Sequence, residues 1–475
     1  MTTVKDTPTN SMPIRLRFAP APTGWMHLGN VRAAYMNALF AKKNNGHMIL
    51  RIEDTDGERI IDVGGKQIMK DLAWLGITYD EGPFFQSDRT ELYQKYLNIV
   101  IERNLVYRAF ETPEELETQR ALQRAQSLPP CYNRASLQLT QAEIDQKLAN
   151  NVPFVWRFKL PHGQVSFYDI ARGQLTFDLT HISDFAVTRQ DGSFTFMFAN
   201  FIDDMLMNIT YILRGEDHMT NSACQIPLYQ AFDLAIPIFY HLPIICNAEG
   251  KKLSKRDFGF SLDDLHNAGF IPEAICNYLA IIGGSFKEEI MDFDTLAATL
   301  KFDTSSPAGT IQYDVEKLRW FNHKWIGKLS VDDLVNRCMP FLIQQFPQAA
   351  QIQNIKELIA FIQPDMTTLH DAVELLSFYF TEPKPDHEVL EHHNFTEIAP
   401  LISSILTHYA DKDIDADAFV NELRQTSKTR NLALKEVFAI ARLLLTGSPQ
   451  GLSVKLIIVM LGSDETKRRF GILLK

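Results

Sequence analysis

A histidine between two glycines is the first residue of this sequence whose position indicates a chemistry. His27 lies in the stretch Gly24-Trp25-Met26-His27-Leu28-Gly29, between a predicted strand and a predicted helix. The free N–H groups and the dipole at a helix N-terminus favour an anion. We therefore expect His27 to donate to a phosphate group.

The residues that follow argue against two common nucleotide-binding motifs. Gly24 and Gly29 have the spacing of a P-loop, but Asn30 and Val31 stand where that motif has its lysine and its Ser or Thr. The dinucleotide fingerprint G-x-G-x-x-G is also absent. The remaining interpretation is that the histidine loop contacts a phosphate in another way.

A second candidate site is a cluster of cations far downstream. The stretch NAEGKKLSKRDFGFSL contains Lys252, Ser254, Lys255 and Arg256 on a predicted loop. Cations on a loop beside a triphosphate can stabilise negative charge as pyrophosphate leaves. The alternative is a solvated basic loop without a ligand.

Strand, helix and strand patterns surround the histidine loop. IRLRF alternates like a strand, NVRAAYMNALFAKKNNG has helical spacing with an Asn-Asn-Gly stop, and HMILRIEDTD reads as a second strand. Such a βαβ unit predicts a parallel sheet whose ligand lies at the carboxyl ends of its strands. The histidine loop is expected at that edge.

The rest of the chain changes character twice. Residues 96–194 combine polar helical stretches with alternating, antiparallel-type strands, which predicts an insertion. Strand and helix alternate again from 195. After about 329 successive amphipathic segments predict a separate helical domain.

Composition limits the possible functions. A formal net charge of -11 over 475 residues argues against a generally basic nucleic-acid coat, so a nucleic-acid partner must meet a local patch. The five cysteines form no C-x-x-C pair, and we expect reduced, mostly buried thiols. Without a signal peptide or a long apolar run, we expect a soluble, cytoplasmic protein with no membrane partner.

The motifs together resemble a known enzyme family. His27-Leu28-Gly29-Asn30 and Lys252-Leu253-Ser254-Lys255-Arg256 resemble the HIGH and KMSKS signatures of class I aminoacyl-tRNA synthetases. The flanking stretches RIEDTD, RGEDH, EKLRWFNHKW and LLLTG resemble those of bacterial-type glutamyl-tRNA synthetases. The resemblance runs from about residue 13 to the C-terminus.

The resemblance implies an α/β fold: a Rossmann-like class I catalytic domain with an inserted acceptor-end domain, followed by an all-α anticodon-binding domain. The implied boundaries are a flexible tail at 1–12, the catalytic domain at 13–95 and 195–242, the acceptor-end insertion at 96–194, a stem-contact region with the KLSKR loop at 243–328, and the anticodon-binding domain at 329–475.

The implied activity is that of a glutamate–tRNA ligase, which forms glutamyl-adenylate from glutamate and ATP and passes the acyl group to the terminal adenosine of tRNA. His27 and Lys255 are the implied catalytic residues. The ATP-binding residues would be His27, Gly29, Asn30, Lys252, Ser254, Lys255 and Arg256. Mg²⁺ would accompany ATP rather than occupy a protein cage.

The glutamate pocket can be argued from chemistry and from the family together. A planar guanidinium suits a carboxylate, and Arg17 matches the residue for the side-chain carboxylate. Arg214 matches the residue at the α-carboxylate end, and Glu53 the acceptor of the α-ammonium group. The full implied set is Arg17, Ala19, Ala21, Glu53, Phe196, Asn200 and Arg214. For each charged member the alternative is an ordinary salt bridge.

Two members of this set depart from the family. Ala21 stands where the family usually has serine, and Phe196 where it has tyrosine. Losing a polar contact costs about 0.5–1.5 kcal/mol. We expect weaker glutamate binding, with compensation or a shifted substrate preference left open.

Metal binding is not predicted. Some relatives carry zinc near the stretch YRAFETPEELE, but here Ala109 and Glu111 stand in that neighbourhood and Cys131 is isolated. For Asp203 and Asp204, on a predicted helix, we favour a structural or capping role over a metal site.

Four residues near the C-terminus are implied to approach the anticodon: Gln363, Asp365, Arg442 and Leu452. Many glutamate-specific relatives have Arg-Pro-Arg where this chain has Gln363-Pro364-Asp365. Arginine can discriminate a base and aspartate is a poor substitute. Charging of tRNA-Gln besides tRNA-Glu is therefore left open, and the alternative is a plain surface turn.

Three functions are compatible with these residues. The first is an active, monomeric ligase, favoured because His27, Lys255, Arg17 and Glu53 are present together. The second is a catalytically weakened paralogue that binds tRNA as a regulatory module. The third, a nucleotidyltransferase acting without tRNA, is disfavoured by the complete helical domain.

Overall fold

The computed structural model describes residues 13–56, 60–128, 130–254, 256–306, 308–384, 388–389 and 393–473. The predicted tail at 1–12 and Lys255 lie outside these residues. The chain forms two compact units. The first contains the described residues up to Leu265 together with Ile275–Val315, and the second contains His266–Ala274 and the described residues from Glu316 onward.

The strands, in chain order, are Arg15–Phe18 (β1), His47–Ile52 (β2), Glu81–Phe85 (β3), Val106–Ala109 (β4), Val155–Phe158 (β5), Gln164–Asp169 (β6), Gly173–Asp178 (β7), Tyr211–Gly215 (β8), Ile238–Leu242 (β9), Ile245–Cys246 (β10) and Ile311–Gln312 (β11). The first helices are Leu28–Asn44 (α1), Lys66–Trp74 (α2), Thr90–Glu102 (α3), Pro113–Ala125 (α4), Gln141–Ala149 (α5), Phe196–Leu206 (α6), Met219–Ala231 (α7), Leu262–Asn267 (α8), Pro272–Ile281 (α9), Phe293–Thr299 (α10) and Val315–Ile326 (α11). Among the described residues, the later helices are Val331–Gln345, Ile355–Ile362, Asp371–Phe380, Phe395–Thr407, Ala416–Thr429, Leu434–Thr446 and Val454–Leu473.

The predicted βαβ unit is confirmed. β1 pairs in parallel with β2, and β2 with β3, so the strand order is β1-β2-β3. The helix α1 lies between β1 and β2 in the chain and ends at Asn45, whose positive φ of 50° closes it. Leu16 and Leu50 are fully buried, and Arg17 and Arg51, which follow them in sequence, are at most 3% exposed, so both faces of these strands are covered, as is usual in a parallel sheet.

A second sheet has the order β7-β6-β9-β8. β8 and β9 are parallel, whereas β6 and β7 form an antiparallel hairpin. The N–H of Thr210, just before β8, donates to the carbonyl oxygen of Arg15 at 3.0 Å, so β8 begins beside β1. β1 therefore has β2 on one side and β8 on the other, and ligands of open α/β sheets bind at such a switch point.

The predicted insertion at 96–194 shares its packing with the second sheet. Asp169 of β6 pairs with Phe239 of β9. One buried cluster includes Phe158 and Phe167 from the insertion together with Phe198 and Phe239. A hydrophobic core thus crosses the boundary predicted at 195, and the acceptor-end role of this segment stays a prediction.

The second unit is helical, as the amphipathic patterns predicted. The stretch LALKEVFAIARLLLTG forms the helix Leu434–Thr446, which Gly447 ends with a φ of 82°. The predicted stem-contact region 243–328 is divided between the two units. None of the helices in the described part of the chain is long and apolar enough to cross a membrane. No disulfide joins the five cysteines, all of which lie in the described residues, and all but Cys131 are buried.

Candidate active site

A cavity of about 740 Å³ opens at the switch point of the first unit. Arg17 at the end of β1, Glu53 after β2 and Arg214 at the end of β8 line one wall. His27 and Lys252 line the rest of the cavity, which we call the nucleotide side. The structure thus brings the predicted amino-acid residues and the two predicted nucleotide motifs to the same cavity.

Buried ion pairs support the first wall. Arg51 Nη1 donates to Asp204 Oδ1 at 2.7 Å, and Arg17 Nε donates to the same oxygen at 3.0 Å. Burial opposes the charge of Asp204, but Arg17 and Arg51 outweigh it and lower the pKa of this carboxyl. Arg17 therefore keeps a fixed orientation, with its Nε bound and its side chain lining the cavity.

Glu53 is held from two sides. Its Oε1 accepts from Arg51 Nη2 at 3.0 Å and from Asn200 Nδ2 at 2.7 Å. Asn200 in turn accepts from Gln225 at 3.1 Å. Burial raises the pKa of Glu53 against the effect of Arg51. The second carboxylate oxygen of Glu53 is left for a cationic ligand.

Arg214 is a buried cation with incomplete hydrogen bonding. Its Nη2 donates to Ser222 Oγ at 2.6 Å and to Gln225 Oε1 at 3.1 Å. Its Nε and Nη1 are buried and have no hydrogen-bond partner among the described residues. Burial, and next the charge of Arg17, lower the pKa of Arg214 to about 10, so it is cationic at neutral pH. Unpaired buried donors are costly, and an anionic ligand would satisfy them.

His27 caps α1, and its geometry determines which ring nitrogen carries the proton. Its Nδ1 accepts from the N–H of Asn30 at 3.3 Å, which places the hydrogen of the neutral ring on Nε2. Burial and then Lys252 lower the pKa of His27, so the ring is neutral at pH 7. The Phe260 ring stacks on it at 5.5 Å. A Cβ at Gly29 would lie 3.1 Å from the His27 ring, so glycine leaves room for this position.

The KLSKR loop is exposed and held by carboxylates. Lys252 Nζ donates to Asp217 Oδ2 at 2.8 Å, and the Lys252 side chain is 61% exposed. Ser254 donates through N and Oγ to Asp257 at 2.8 and 2.9 Å. Arg256 is exposed. Lys255 lies outside the described residues, so its predicted role stays a prediction.

The two departures from the family also line the cavity. Ala21 and Phe196 do so together with Ala19. The Phe196 ring lies 5.5 Å from that of His218. Burial, and next Arg214, lower the pKa of His218 to about 4. A neutral imidazole thus lies beside the position where a tyrosine hydroxyl is missing.

Sequence reasoning missed much of the supporting network. Asp203 accepts from Gln86, Arg89 and Tyr93, and Asp204 binds two arginines, so the predicted structural role of this pair is confirmed while capping is not. Two acids inside the apolar helix FMFANFIDDML were the available signal. No sequence signal singled out Arg51, since two of its three carboxylate partners, Asp203 and Asp204, come from a distant segment.

Gln363 and Asp365 form a short 3₁₀ turn in the second unit. The Gln363 amide donates to the carbonyl oxygens of Ile326 and Leu329 at 2.9 and 3.0 Å. This favours the plain structural turn for Gln363, whereas Asp365 is exposed.

The other two predicted anticodon residues differ in burial. Arg442 Nε donates to the carbonyl oxygen of Pro449 at 2.8 Å, and the side chain is partly exposed. Leu452 is only 6% exposed, which argues against direct contact of its side chain with a base. Both roles stay predictions.

Hydrogen bonds tie together the segment for which zinc was not predicted. Tyr132 Oη and Ser136 Oγ donate to the two oxygens of Glu111 at 2.9 and 2.8 Å. Within the described residues, no group of three or more His, Cys, Asp or Glu could hold a metal ion. The absence of zinc from the protein stays a prediction.

Comparisons with known proteins extend over the whole described chain. Residues 13–320 match the family described as tRNA synthetases class I (E and Q), catalytic domain, and residues 333–474 match an anticodon binding domain. The glutamate–tRNA ligase of Sulfurihydrogenibium sp. (strain YO3AOP1) is 35% identical, with 96% of this chain and 98% of the relative covered. That of Aquifex aeolicus (strain VF5) is 34% identical with the same coverage. The crystal structure of a glutamate tRNA ligase from Elizabethkingia meningosepticum CCUG26117, in complex with its amino acid, has a TM-score of 0.83 at 30% identity and covers 98% of this chain and 99% of that chain.

Proposed function

Because the chain belongs to the glutamate–tRNA ligases of class I, we propose that it activates L-glutamate with ATP and transfers it to the 3′ terminal adenosine of tRNA-Glu. The first step joins the α-carboxylate to the α-phosphate and releases pyrophosphate. The second step moves the acyl group to a ribose hydroxyl of tRNA and releases AMP.

One observation carries the choice of glutamate. Four guanidinium groups, those of Arg17, Arg51, Arg89 and Arg214, meet three carboxylates, those of Glu53, Asp203 and Asp204. All of these side chains are at most 9% exposed except Arg89, whose side chain is 19% exposed. One positive charge is therefore uncompensated in a buried place, where an unpaired charge is costly. Glutamate carries a net charge of -1 and balances it, whereas zwitterionic glutamine does not.

The groups of glutamate also match the wall one by one. Arg17 would bind the side-chain carboxylate and Arg214 the α-carboxylate, while Glu53, held by Asn200, would accept from the α-ammonium group. Ala19, Ala21 and Phe196 would contact the rest of the amino acid. This division is supported by the cavity that these residues share.

The nucleotide would occupy the other part of the cavity. His27 would donate from Nε2 to a phosphate oxygen, with Gly29 and Asn30 at the helix N-terminus beside it. Lys252 and Arg256 would neutralise charge on the departing pyrophosphate, Ser254 would donate a hydrogen bond to it, and Lys255 would join them as the family resemblance implies. Mg²⁺ would enter with ATP and would add positive charge beside the phosphates.

The second unit would bind the anticodon, with Arg442 and Asp365 as the more accessible candidates. Residues 96–194 would hold the acceptor end. Charging of tRNA-Gln stays open, because the Gln363-Pro364-Asp365 turn lacks both arginines. The cytoplasmic location and the monomeric state stay predictions.

Aminoacylation tests the proposal. Radiolabelled glutamate and, in parallel, glutamine are supplied with ATP, Mg²⁺ and transcripts of tRNA-Glu and tRNA-Gln. We expect glutamate on tRNA-Glu. Additional charging of tRNA-Gln would show relaxed anticodon reading. Binding of tRNA without any charging would instead favour the regulatory paralogue.

A further inference from the structure

A chain of buried polar side chains runs from the end of β6 to Arg214. Asp169 Oδ2 lies 2.8 Å from His241 Nδ1, and His241 Nε2 lies 2.7 Å from Ser222 Oγ. Ser222 Oγ accepts from Arg214 Nη2 at 2.6 Å. Asp169, His241 and Ser222 are 0% exposed and come from three elements, β6, β9 and α7.

In this series of side chains, each hydrogen bond is donated toward Asp169. Burial lowers the pKa of His241 despite its bond to Asp169, so the ring is neutral. The Asp169 carboxylate only accepts, which places the ring hydrogen on Nδ1 and makes Nε2 an acceptor. The Ser222 hydroxyl has two acceptors within reach, His241 Nε2 at 2.7 Å and the His218 carbonyl oxygen at 3.2 Å. It donates to the nearer Nε2, and its lone pair remains for Arg214.

Asp169, His241 and Ser222 are the residue types of a hydrolase triad, but this group cannot act as one. A triad serine must reach the carbonyl that it attacks. Ser222 Oγ is instead enclosed between His241 and Arg214, and it is absent from the lining of the cavity, as are Asp169 and His241. The position of Ser222 is instead suited to holding the guanidinium group of Arg214.

The Asp169 end of this hydrogen-bonded series is rigidly held. Asp169 Oδ1 accepts from the N–H groups of Ala171 and Arg172, both at 3.0 Å, and Oδ2 also accepts from the N–H of His241 at 2.9 Å. The Phe239 ring stacks on the His241 ring at 5.5 Å with an interplanar angle of 7°. A side chain held in this way can fix the orientation of the next one.

We infer that Asp169, His241 and Ser222 are positioning residues: Ser222 binds Arg214 Nη2, His241 and Asp169 hold Ser222, and the unpaired Nη1 of Arg214 is left for the α-carboxylate of the amino acid. This inference rests on the proposed function. Three residues outside the cavity are thereby expected to affect the binding of glutamate but not that of ATP. The reason is that their hydrogen bonds reach Arg214 and no residue of the nucleotide motifs.

Two variants of the full chain test the inference. Ser222→Ala removes the acceptor of Arg214, and Asp169→Asn removes the charge at the far end. In aminoacylation with tRNA-Glu, we expect the KM for glutamate to rise about ten- to hundredfold, as for loss of a hydrogen bond to a charged group. The KM for ATP should stay within about twofold, since His27 and Lys252 are untouched.

Asp184→Asn is the matched control. Asp184 is 1% exposed and accepts from Arg134 and Tyr107, away from the cavity lining. It should lower thermal stability as Asp169→Asn does, without changing the KM for glutamate. Ser222→Ala removes one hydroxyl from a helix and keeps the test open if Asp169→Asn does not fold.

The inference is overturned if both variants keep the wild-type KM for glutamate, or if the KM values for glutamate and ATP rise together. It is also overturned if Asp184→Asn has the same effect on glutamate. Calorimetric titration with glutamate gives the same comparison without catalysis. Wild-type protein that binds glutamate but charges no tRNA would therefore defeat the proposed function and still test the positioning of Arg214.

Discussion

The two sides of the cavity differ in how their charges are held. The amino-acid wall is lined by Arg17, Glu53 and Arg214 and supported by Arg51 and Asp204. Each of these charges is buried and bound by neighbours from other elements. On the nucleotide side, the cations belong to one exposed loop.

Lys252 represents the nucleotide side, with 61% of its side chain exposed and an ion pair to Asp217. An exposed pair of this kind contributes about 0–1 kcal/mol, so Lys252 can exchange its carboxylate for a phosphate at little cost. The buried network cannot rearrange so cheaply. The wall is organised before glutamate binds, whereas the loop can adapt to the triphosphate.

Arg214→Gln should have the largest effect, because it removes a charge from the buried wall. We expect kcat/KM for glutamate to fall by about two to four orders of magnitude, corresponding to about 3–5 kcal/mol for breaking a buried pair. Steady-state aminoacylation measures this, and circular dichroism checks folding. A loss below tenfold would mean that the α-carboxylate is held elsewhere.

Lys252→Ala should affect the nucleotide side. We expect adenylate formation to slow by about a hundredfold, as for removal of one transition-state donor, with little change in the KM for glutamate. Pyrophosphate exchange in the presence of tRNA-Glu measures the step.

Asp217→Asn is the matched partner of Lys252→Ala. It only frees Lys252 from an exposed pair, so the rate of adenylate formation should change less than about fivefold. Equal losses in the two variants would show that the pair itself, rather than the lysine, is needed.

Acidic pH should weaken glutamate binding through Glu53. Burial raises the pKa of this carboxyl above the ordinary value of 4.5, and its protonated form cannot attract the α-ammonium group. The KM for glutamate should therefore rise as pH falls toward that pKa, by up to about tenfold per pH unit below it. Arg214, with a pKa of about 10, keeps its charge over this range.

Glu53→Gln identifies the group responsible. The variant should bind glutamate weakly at every pH and lose the acidic rise in KM. An acidic limb that persists unchanged in Glu53→Gln would assign the pH dependence to another group.

Phe196→Tyr should sharpen the amino-acid wall by restoring a hydroxyl that the family usually has. A gained hydrogen bond of about 0.5–1.5 kcal/mol corresponds to a two- to tenfold lower KM for glutamate. Aminoacylation at varied glutamate measures it. An unchanged or higher KM would indicate that His218 or water already supplies the contact.

Chelation should have no effect. Glu111, Tyr132 and Ser136 bind one another where some relatives carry zinc. Because we predict that no metal contributes to folding, dialysis against a strong chelator should leave the thermal unfolding midpoint unchanged. One stoichiometric zinc per chain in elemental analysis would contradict this.

The comparison also separates what local sequence could predict from what it could not. The βαβ unit and the helices Val331–Gln345, Asp371–Phe380 and Leu434–Thr446 followed from hydrophobic periodicity, which reports burial within one element. His27 and Arg17 were named as candidates from residue type, position and family resemblance, and both line the cavity.

The sequence by itself determined the periodic elements and the residue types available for charge and proton chemistry, because these depend on neighbours along the chain. Only the tertiary structure decided which charges meet: Arg17 and Asp204 are 187 positions apart, and Ser222 meets both His241 and Arg214. The burial of Leu452 and the bonds of Gln363 were decided there as well. Such pairings depend on strand order and on helix packing. Hydrophobic periodicity along one segment contains no information about either.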